Sequence, residues 1–576
     1  MSPSAASLRY RLTLEKTAAG TGFFAPVPRN PPPFADGLRY LQQHPNDVFM
    51  HNYLLGCIAA MDLDAVQRFL QAETYNGDPI VRALLLEAAL IYDHLSGVRK
   101  LFKRREIKAL AEATPLVDLR SEKLPHQALH RQWAELFHAN LTHHRPLPPP
   151  EKTGLSFPVD GVDGSEPPLP KGAHLQAVID ASEQYPQIPG RPRPALRQTI
   201  DRALFGLEAL DLFEGGEMRH QSSLSPIALL RKWRFSHEVR SGGLAYTLSG
   251  VQTSYGRGLS LEAARAACLM EVVERCSSFA GVTESGIAGT FRSHTLIHGS
   301  RSRLAAEGYP MLDPNRLSLE VPYRDEPLYW MEGERLTPKG PAPIWVPVQC
   351  AYLFCNLDER ALFSGLGSTG LAAGNTMTEA RLSALYELLE RDSEAVNPFH
   401  PSRCFRVCAE DERIGALLED YRARGIHLQF QDISPAFGIP CCSCFVTHRD
   451  GTVARGNGTH LNGRQAVLSA LTETPYPYPV GPPSAPALPD LPWLQFEALP
   501  DFSTGSPGRD LVLVEQTLAA NGFFPIYVDM TRSDLKIPVT RALIPGFEMV
   551  ADFDRTSRIN PRLFNNYLKI HNKKAS

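Results

Sequence analysis

The sequence predicts an α+β protein. An all-α, repeat-like N-terminal domain precedes a larger domain built of repeated β-α units around a large sheet. Three observations predict it. Apolar residues recur at helical spacing through residues 34–145. A stretch rich in Pro, Gly and acidic residues, 146–171, separates that region from the rest. Beyond about residue 235, strand-like runs alternate with helices, and one unit, a glycine turn leading into an acidic helix, recurs.

Taken in order, residues 1–30 offer one candidate strand, Leu8 to Leu14, and a Pro-rich entry. Helical periodicity then covers Phe34–His44, Phe49–Met61, Asp64–Glu73, Pro79–Leu95 and His126–Leu141, with breaks at His44-Pro45, Asn76-Gly77 and Ser96-Gly97. Helix hairpins stacked this way form a concave partner surface; a plain helical bundle is the alternative. The expected organisation is a helical domain at 1–145, a linker at 146–171 and a catalytic domain at 172–576, with its core at 235–550. In that last part a helix is expected over Ala195–Leu212. Strands are expected within Gly242–Tyr255, Pro343–Phe354, Ile439–Asp450 and Thr452–His460, and in Ile537–Pro545 at the end. A helix–strand unit covers Asp510–Met530, and residues 475–507, with many prolines, read as a surface loop.

Composition narrows the function. The chain has 576 residues and a formal net charge of −3, which argues against a nucleic-acid surface or a polybasic membrane anchor. Neither a secretory signal nor an apolar run long enough to span a bilayer is apparent. Ten cysteines in so long a chain do not suggest a disulfide framework. A cytoplasmic protein is expected.

The repeated unit carries the chemistry. Ala264–Ser277 and Ala380–Ser393 align without gaps as A-R-x-x-x-L-x-E-x-x-E-R. The pattern places Glu271 and Glu274 on one face of the first helix, and Glu387 and Glu390 on one face of the second. Glycines precede both, at Gly256 and Gly258 and at Gly370 and Gly374. Thr376 and Glu379 fit a capping box. A weaker third copy, Ala466–Glu473, follows Gly456-Asn457-Gly458 and breaks at Pro475. An acidic pair on a helix is usually a solvated face; repetition makes a shared cavity the better reading. Four carboxylates around one cavity raise one another's pKa values unless a counter-charge is present. Hard Mg²⁺ ions resolve this, and nearby arginines point to phosphate, so the pattern indicates a Mg²⁺–nucleotide site without a P-loop.

Together with Ile537–Glu548, these segments resemble the YcaO family over roughly residues 235–550, in the family's motif order. The helical region lies outside the resemblance. The resemblance implies binding of ATP with Mg²⁺ and phosphorylation of a peptide amide oxygen. A Cys, Ser or Thr side chain, or a sulfide donor, then gives an azoline or a thioamide. It assigns metal binding to Glu271, Glu274, Glu387 and Glu390, with Glu379 as a further metal or nucleotide contact. It assigns nucleotide contacts to Arg257, Asn375, Arg391 and Arg541, and puts Glu387, Glu390 and Arg391 at the centre of catalysis. Arg257 stands where the family has lysine, Ala267 where it has a small hydroxyl residue, and Thr474-Pro475-Tyr476-Pro477 where it has a Gln-x-Arg element. The last departure leaves Glu473 without an expected role. The C-terminal Leu568–Ser576 lacks the family's Pro-rich tail, which shifts the expectation from azoline towards thioamide formation. Implied partners are a peptide or protein substrate, a sulfur-delivery or recognition protein, and a second copy in a homodimer. The alternatives are a degenerate scaffold or accessory protein, and an accessory factor in methylthiolation of a ribosomal protein.

Other residues read as structural. Strand spacing puts Cys442 and Cys444 on one face and Cys441 on the other, so with His448 they are expected as core rather than a metal set. Cys404 and Cys408 are not expected to hold zinc. Cys276 is expected in packing and His460 in the core or a loop. His143 and His144 have no partner legible in the sequence.

Overall fold

Each glycine-and-helix unit brings its own sheet. The computed structural model describes residues 8–15, 23–71, 77–165, 169–182, 192–549 and 553–572. Its first sheet contains β1 (Leu8–Glu15), β2 (Phe23–Pro28), β3 (Met218–Arg219), β4 (Ile227–Ser241), β5 (Leu244–Gly258), β6 (Gly281–Thr283) and β7 (Gly286–Ala288), in the order β2-β1-β5-β4-β6-β7 with β3 on β4. The second contains β8 (Ile297–Gly299), β9 (Leu328–Thr337), β10 (Gly340–Pro347), β11 (Leu371–Ala373), β17 (Ile526–Asp529) and β18 (Val539–Leu543), in the order β10-β9-β17-β18-β11 with β8 on β9. The third runs β15-β14-β13-β12-β16, from β12 (Cys404–Cys408), β13 (Gln429–Asp432), β14 (Cys441–Thr447), β15 (Val453–Thr459) and β16 (Trp493–Gln495). The α+β class holds, but the single large sheet expected from the sequence is three. Period-two patterning says that a segment is a strand, not which distant strand it pairs with.

The three acidic helices repeat one local design. The first (Leu261–Ser277) follows β5 and is capped by Ser260, whose side chain accepts from the Ala263 N–H. The second (Met377–Val396) follows β11 and is capped by Thr376. The third (Gly463–Glu473) follows β15 and is capped by Asn462. Glycine lets each strand or turn lie directly against its helix. A Cβ on Gly456 would sit 2.5 Å from Thr474 N and 2.6 Å from Ala470 O, and one on Gly256 would overlap the Ala264 carbonyl and the Cys268 amide. Gly256 and Gly456 serve this packing, whereas Gly370, at φ +81°, also makes a turn.

The N-terminal region is helical except for its first two strands. β1 joins the first sheet, parallel to β5 with Leu8 opposite Tyr246, and β2 pairs antiparallel with β1. Residues 1–145 are therefore not an all-α unit. Helices Phe34–Gln43, Val48–Ala59, Leu63–Gln71 and Pro79–Ile91 share one apolar core. Asp47 ties them to the rest: it accepts from Tyr10 Oη (2.8 Å), Tyr40 Oη (2.9 Å) and Asn356 Nδ2 (3.0 Å). The expected break at Asn76 lies outside the described residues. Helix Gln127–His143 leaves that core and packs through Trp133 and Phe137 onto Phe564 and Tyr567 of the C-terminal helix, Pro561–Asn572. The expected linker lies along this cluster through Leu147, Leu155, Val159 and Val162.

All ten cysteines are free, and Cys441, Cys442 and Cys444 are buried as expected. Among the described residues, no helix is long and apolar enough to cross a membrane. The strand Ile227–Ser241 and the helix Glu412–Ala423 were not expected from the sequence.

Replacing Gly256 with alanine should destabilise the protein by about 2 kcal/mol or more, because backbone atoms rather than a flexible side chain must yield. Gly56→Ala, in helix Val48–Ala59 with nothing within 4 Å of the added methyl, should be neutral or stabilising by up to about 1 kcal/mol. Thermal unfolding compares the two; an unchanged midpoint for Gly256→Ala would refute the packing role.

Candidate active site

The acidic faces of the three helices converge. Glu274 on the first helix interacts with Glu387 on the second, and Glu390 with Glu473 on the third. Arginines lie among them. Arg275 is 3.6 Å from both Glu271 and Glu274 of its own helix, and Glu271 also accepts from the Tyr255 N–H of β5 at 3.0 Å. Arg257, from β5, faces Glu473 across the helix boundary. Arg391 sits among Glu387, Glu390, Glu473 and Glu394. Arg541, on β18 opposite Val528, is fully buried and faces Glu387 and Glu274.

Five carboxylates thus face four guanidiniums. Burial pushes Glu274 well above the usual carboxylate range; Arg275 opposes this, and Glu387 and Glu271 add to it. Burial does the same to Glu390, reinforced first by Glu473. Glu387 and Glu473 are raised by burial, against opposition from Arg391 at the first and Arg257 at the second. Burial lowers Arg541 to about 10, against the pull of Glu387. The recess still reaches solvent, since the Glu271 and Glu274 side chains are 26% and 16% exposed.

The donors are also incomplete. Arg541 Nη1 donates to Gly367 O at 3.0 Å, but its Nε and Nη2 are buried without a partner, as is Arg257 Nε. Crowded carboxylates beside buried, unanswered guanidinium N–H groups fit a site completed by cations and an anion together. Among the described residues, no three His, Cys, Asp or Glu side chains converge to hold an ion by themselves.

Arg391 belongs to a longer chain of contacts. It lies 3.2 Å from Glu394, which lies 2.8 Å from Arg455 of β15. Arg455 in turn donates to the Leu141 carbonyl on helix Gln127–His143. Asn140 of that helix exchanges two hydrogen bonds with the backbone of Phe399, just past the second acidic helix, at 2.8 and 3.1 Å. His144 stacks on the Phe399 ring at 3.7 Å. The N-terminal region therefore abuts the site's supporting shell.

Comparison with known proteins identifies the unit that carries this cluster. Residues 255–475 match the family model described as YcaO cyclodehydratase, ATP- and Mg²⁺-binding. Over these residues the chain is similar to the YcaO family. An uncharacterized protein of Methanothermobacter thermautotrophicus is 28% identical over 345 residues, covering 53% of this chain and 84% of that protein. An uncharacterized protein encoded in the tfuA 3′ region of Rhizobium leguminosarum bv. trifolii is 28% identical over 249 residues, 40% of this chain and 54% of that one. The structure of YcaO from Methanopyrus kandleri bound with AMPPCP and Mg²⁺ aligns at 21% identity over 64% of this chain and 95% of that one, with a TM-score of 0.45.

Within and beside residues 255–475, the expected residues fall in two places. Glu271, Glu274, Glu387, Glu390, Arg391, Arg257 and Arg541 line the cluster. Asn375 and Glu379 stand at the start of the second acidic helix, where Glu379 Oε2 accepts from the Asn375 N–H (3.1 Å) and Nδ2 (3.0 Å). Asn375 Oδ1 also accepts from Thr199 (3.1 Å). The expected capping box is therefore only half made: Thr376 caps the helix, but the Glu379 carboxylate holds Asn375, one residue before the cap, instead of the Thr376 N–H. Sequence reasoning left out Glu473, Glu394 and Arg455. For Glu473 the signal was present: Ala466–Glu473 has the spacing of Ala264–Glu271 and Ala380–Glu387. Arg455 and Glu394 had none, since only pairing of β15 with β14 brings the third unit to the second helix.

A carboxyl whose folded pKa is raised favours the fold when protonated, and that contribution is lost as pH rises through the folded pKa. Glu390→Gln mimics the protonated form, so its unfolding midpoint should exceed that of the parent at pH 8, with a smaller gain at pH 5. Loss of stability at pH 8 would sink the claim that Glu390 is under-compensated. His144 behaves oppositely: burial, then Arg455, lowers it to about 3. The unfolded chain protonates it near 6.5, so stability falls as pH drops through that window. His144→Phe keeps the stack and should flatten the acid side of a urea-midpoint profile; an unchanged slope would contradict its burial as a neutral ring.

Proposed function

We propose that this protein uses ATP with Mg²⁺ to phosphorylate a backbone amide oxygen of a peptide or protein, preparing that amide for thioamide or azoline formation. The observation that carries the reading is the pairing of five crowded carboxylates with the orphaned N–H groups of Arg541 and Arg257. Glu271, Glu274, Glu387 and Glu390 would hold Mg²⁺, one or two carboxylates to an ion, with water and phosphate oxygens filling the remaining positions. Bound Mg²⁺ would offset charge on the phosphate oxygens and the leaving group.

The chain's own residues account for the rest. Arg541, buried and held by the Gly367 carbonyl, would offer fixed N–H donors to the phosphates, and Arg257 a second guanidinium. Arg391, held by Glu394 and Arg455, stays oriented towards Glu387 and Glu390. Phosphorylation converts the amide oxygen into a leaving group, after which a nucleophile adds to the amide carbon. Cys268 and Cys276 are buried and raised to about 12 and 11, while Cys350 and Cys441 are raised by burial as well. None is suited to act as a thiolate. In this reading the nucleophile comes from the substrate or from a sulfur-delivering partner, and the N-terminal helical region is the proposed surface for bringing substrate or partner in.

Glu387→Ala and Arg541→Lys should each reduce substrate-dependent ATP hydrolysis by about 100-fold or more while circular dichroism stays unchanged. Retained turnover in either would overturn the assignment. Mass analysis of the modified peptide separates the products: exchange of oxygen for sulfur marks a thioamide, loss of water an azoline.

A further inference from the structure

A second concentration of unanswered positive charge lies on the six-stranded sheet. A cavity of about 220 Å³ opens beside β9, β10 and β17. Arg301, Arg316 and Arg335 line it, with Asp313 as the one acidic residue. None of the three guanidiniums takes a hydrogen bond or an ion pair among the described residues, and Arg301 Nε is buried without a partner. Asp313 already spends one carboxylate oxygen on the Asn315 N–H, at 3.1 Å. Three guanidiniums against one carboxylate leave the cavity with a net positive charge.

The opposite wall is apolar. Ile344 and Ile526 are almost wholly buried, and Phe524 lies beside them. Guanidiniums gathered at one cavity repel one another, whereas planar forks of donors match carboxylate and phosphate oxygens in pairs. A wall of isoleucine and phenylalanine accepts the carbon part of a ligand and leaves its charged groups to the arginines. Arg335 stands on β9 directly opposite Ile526 of β17, so charged and apolar walls are fixed by one strand pair. The site lies apart from the acidic cluster, which lines none of it.

We propose that this cavity binds a small organic polyanion, carrying two or more carboxylate or phosphate groups on a short carbon frame. It is separate from the nucleotide site, and its chemistry does not rest on amide activation. The test is calorimetry on the full chain at low ionic strength, with citrate and fructose 1,6-bisphosphate as probes, repeated in the presence of saturating ATP. We expect one of the probes to bind with a stoichiometry of one, undisplaced by ATP; which one binds distinguishes a carboxylate from a phosphate ligand. Arg301→Gln and Arg335→Gln should each weaken that binding about tenfold or more and leave the ATP isotherm unchanged. Arg335 is exposed, so Arg335→Gln is expected to keep the parent's unfolding midpoint. The proposal fails if neither probe binds, if ATP displaces the bound probe, or if Arg335→Gln binds it as the parent does.

Discussion

Like charges do not gather in a protein recess unless something offsets them. Three helices here aim five carboxylates at one another, and every other feature of the site answers that fact. Arg275 spans two of them on its own helix, Arg391 reaches across from the second, Arg257 arrives from a strand, and Arg541 rises from beneath. The balance remains unfinished, since Glu274 and Glu390 stay displaced towards protonation while Arg541 keeps two nitrogens unanswered. A purely structural ion-pair network would close on itself. This one leaves two guanidinium nitrogens of Arg541 open beside crowded carboxylates.

What brings the helices together is not the charge but the glycines. Strand and helix touch at backbone distance at Gly256, Gly258, Gly456 and Gly458, and turn and helix at Gly374. Each acidic helix is thereby pinned to its own sheet through van der Waals contact, and the electrostatic cost of juxtaposing carboxylates is met by that packing. The N-terminal region adds a brace. Through Leu141, Arg455 and Glu394 it holds the flank of Arg391, and through Asn140 it fixes the chain leaving the second acidic helix. A site in which donors must be in place before the ligand arrives benefits from such support.

Much of this was legible in the sequence because it is local. The E-x-x-E spacing fixes a shared helix face, the Thr376–Glu379 pair fixes a cap, and the alternation of Cys441 to Cys444 fixes a buried strand. The first two strands were harder. Leu8–Glu15 has strand character, but nothing local says that it will add to β5, more than two hundred residues away. Glu473 shows the same limit from the other side. Its spacing matched the other copies, yet the prolines after it suggested a broken unit, whereas the break comes just beyond the residue that matters.

By itself the sequence determined the kinds of element, the faces on which the glutamates stand and the residue types that gather at the cluster. Those follow from periodicity and side-chain chemistry, which act over a few residues. The tertiary structure alone decided that three sheets replace one, that Arg257 faces Glu473 of the third helix, that Arg455 links the N-terminal region to Arg391, and that Arg301, Arg316 and Arg335 surround one cavity. Each of these depends on which distant strands pair, and pairing is selected by packing of the whole chain rather than by any stretch of it.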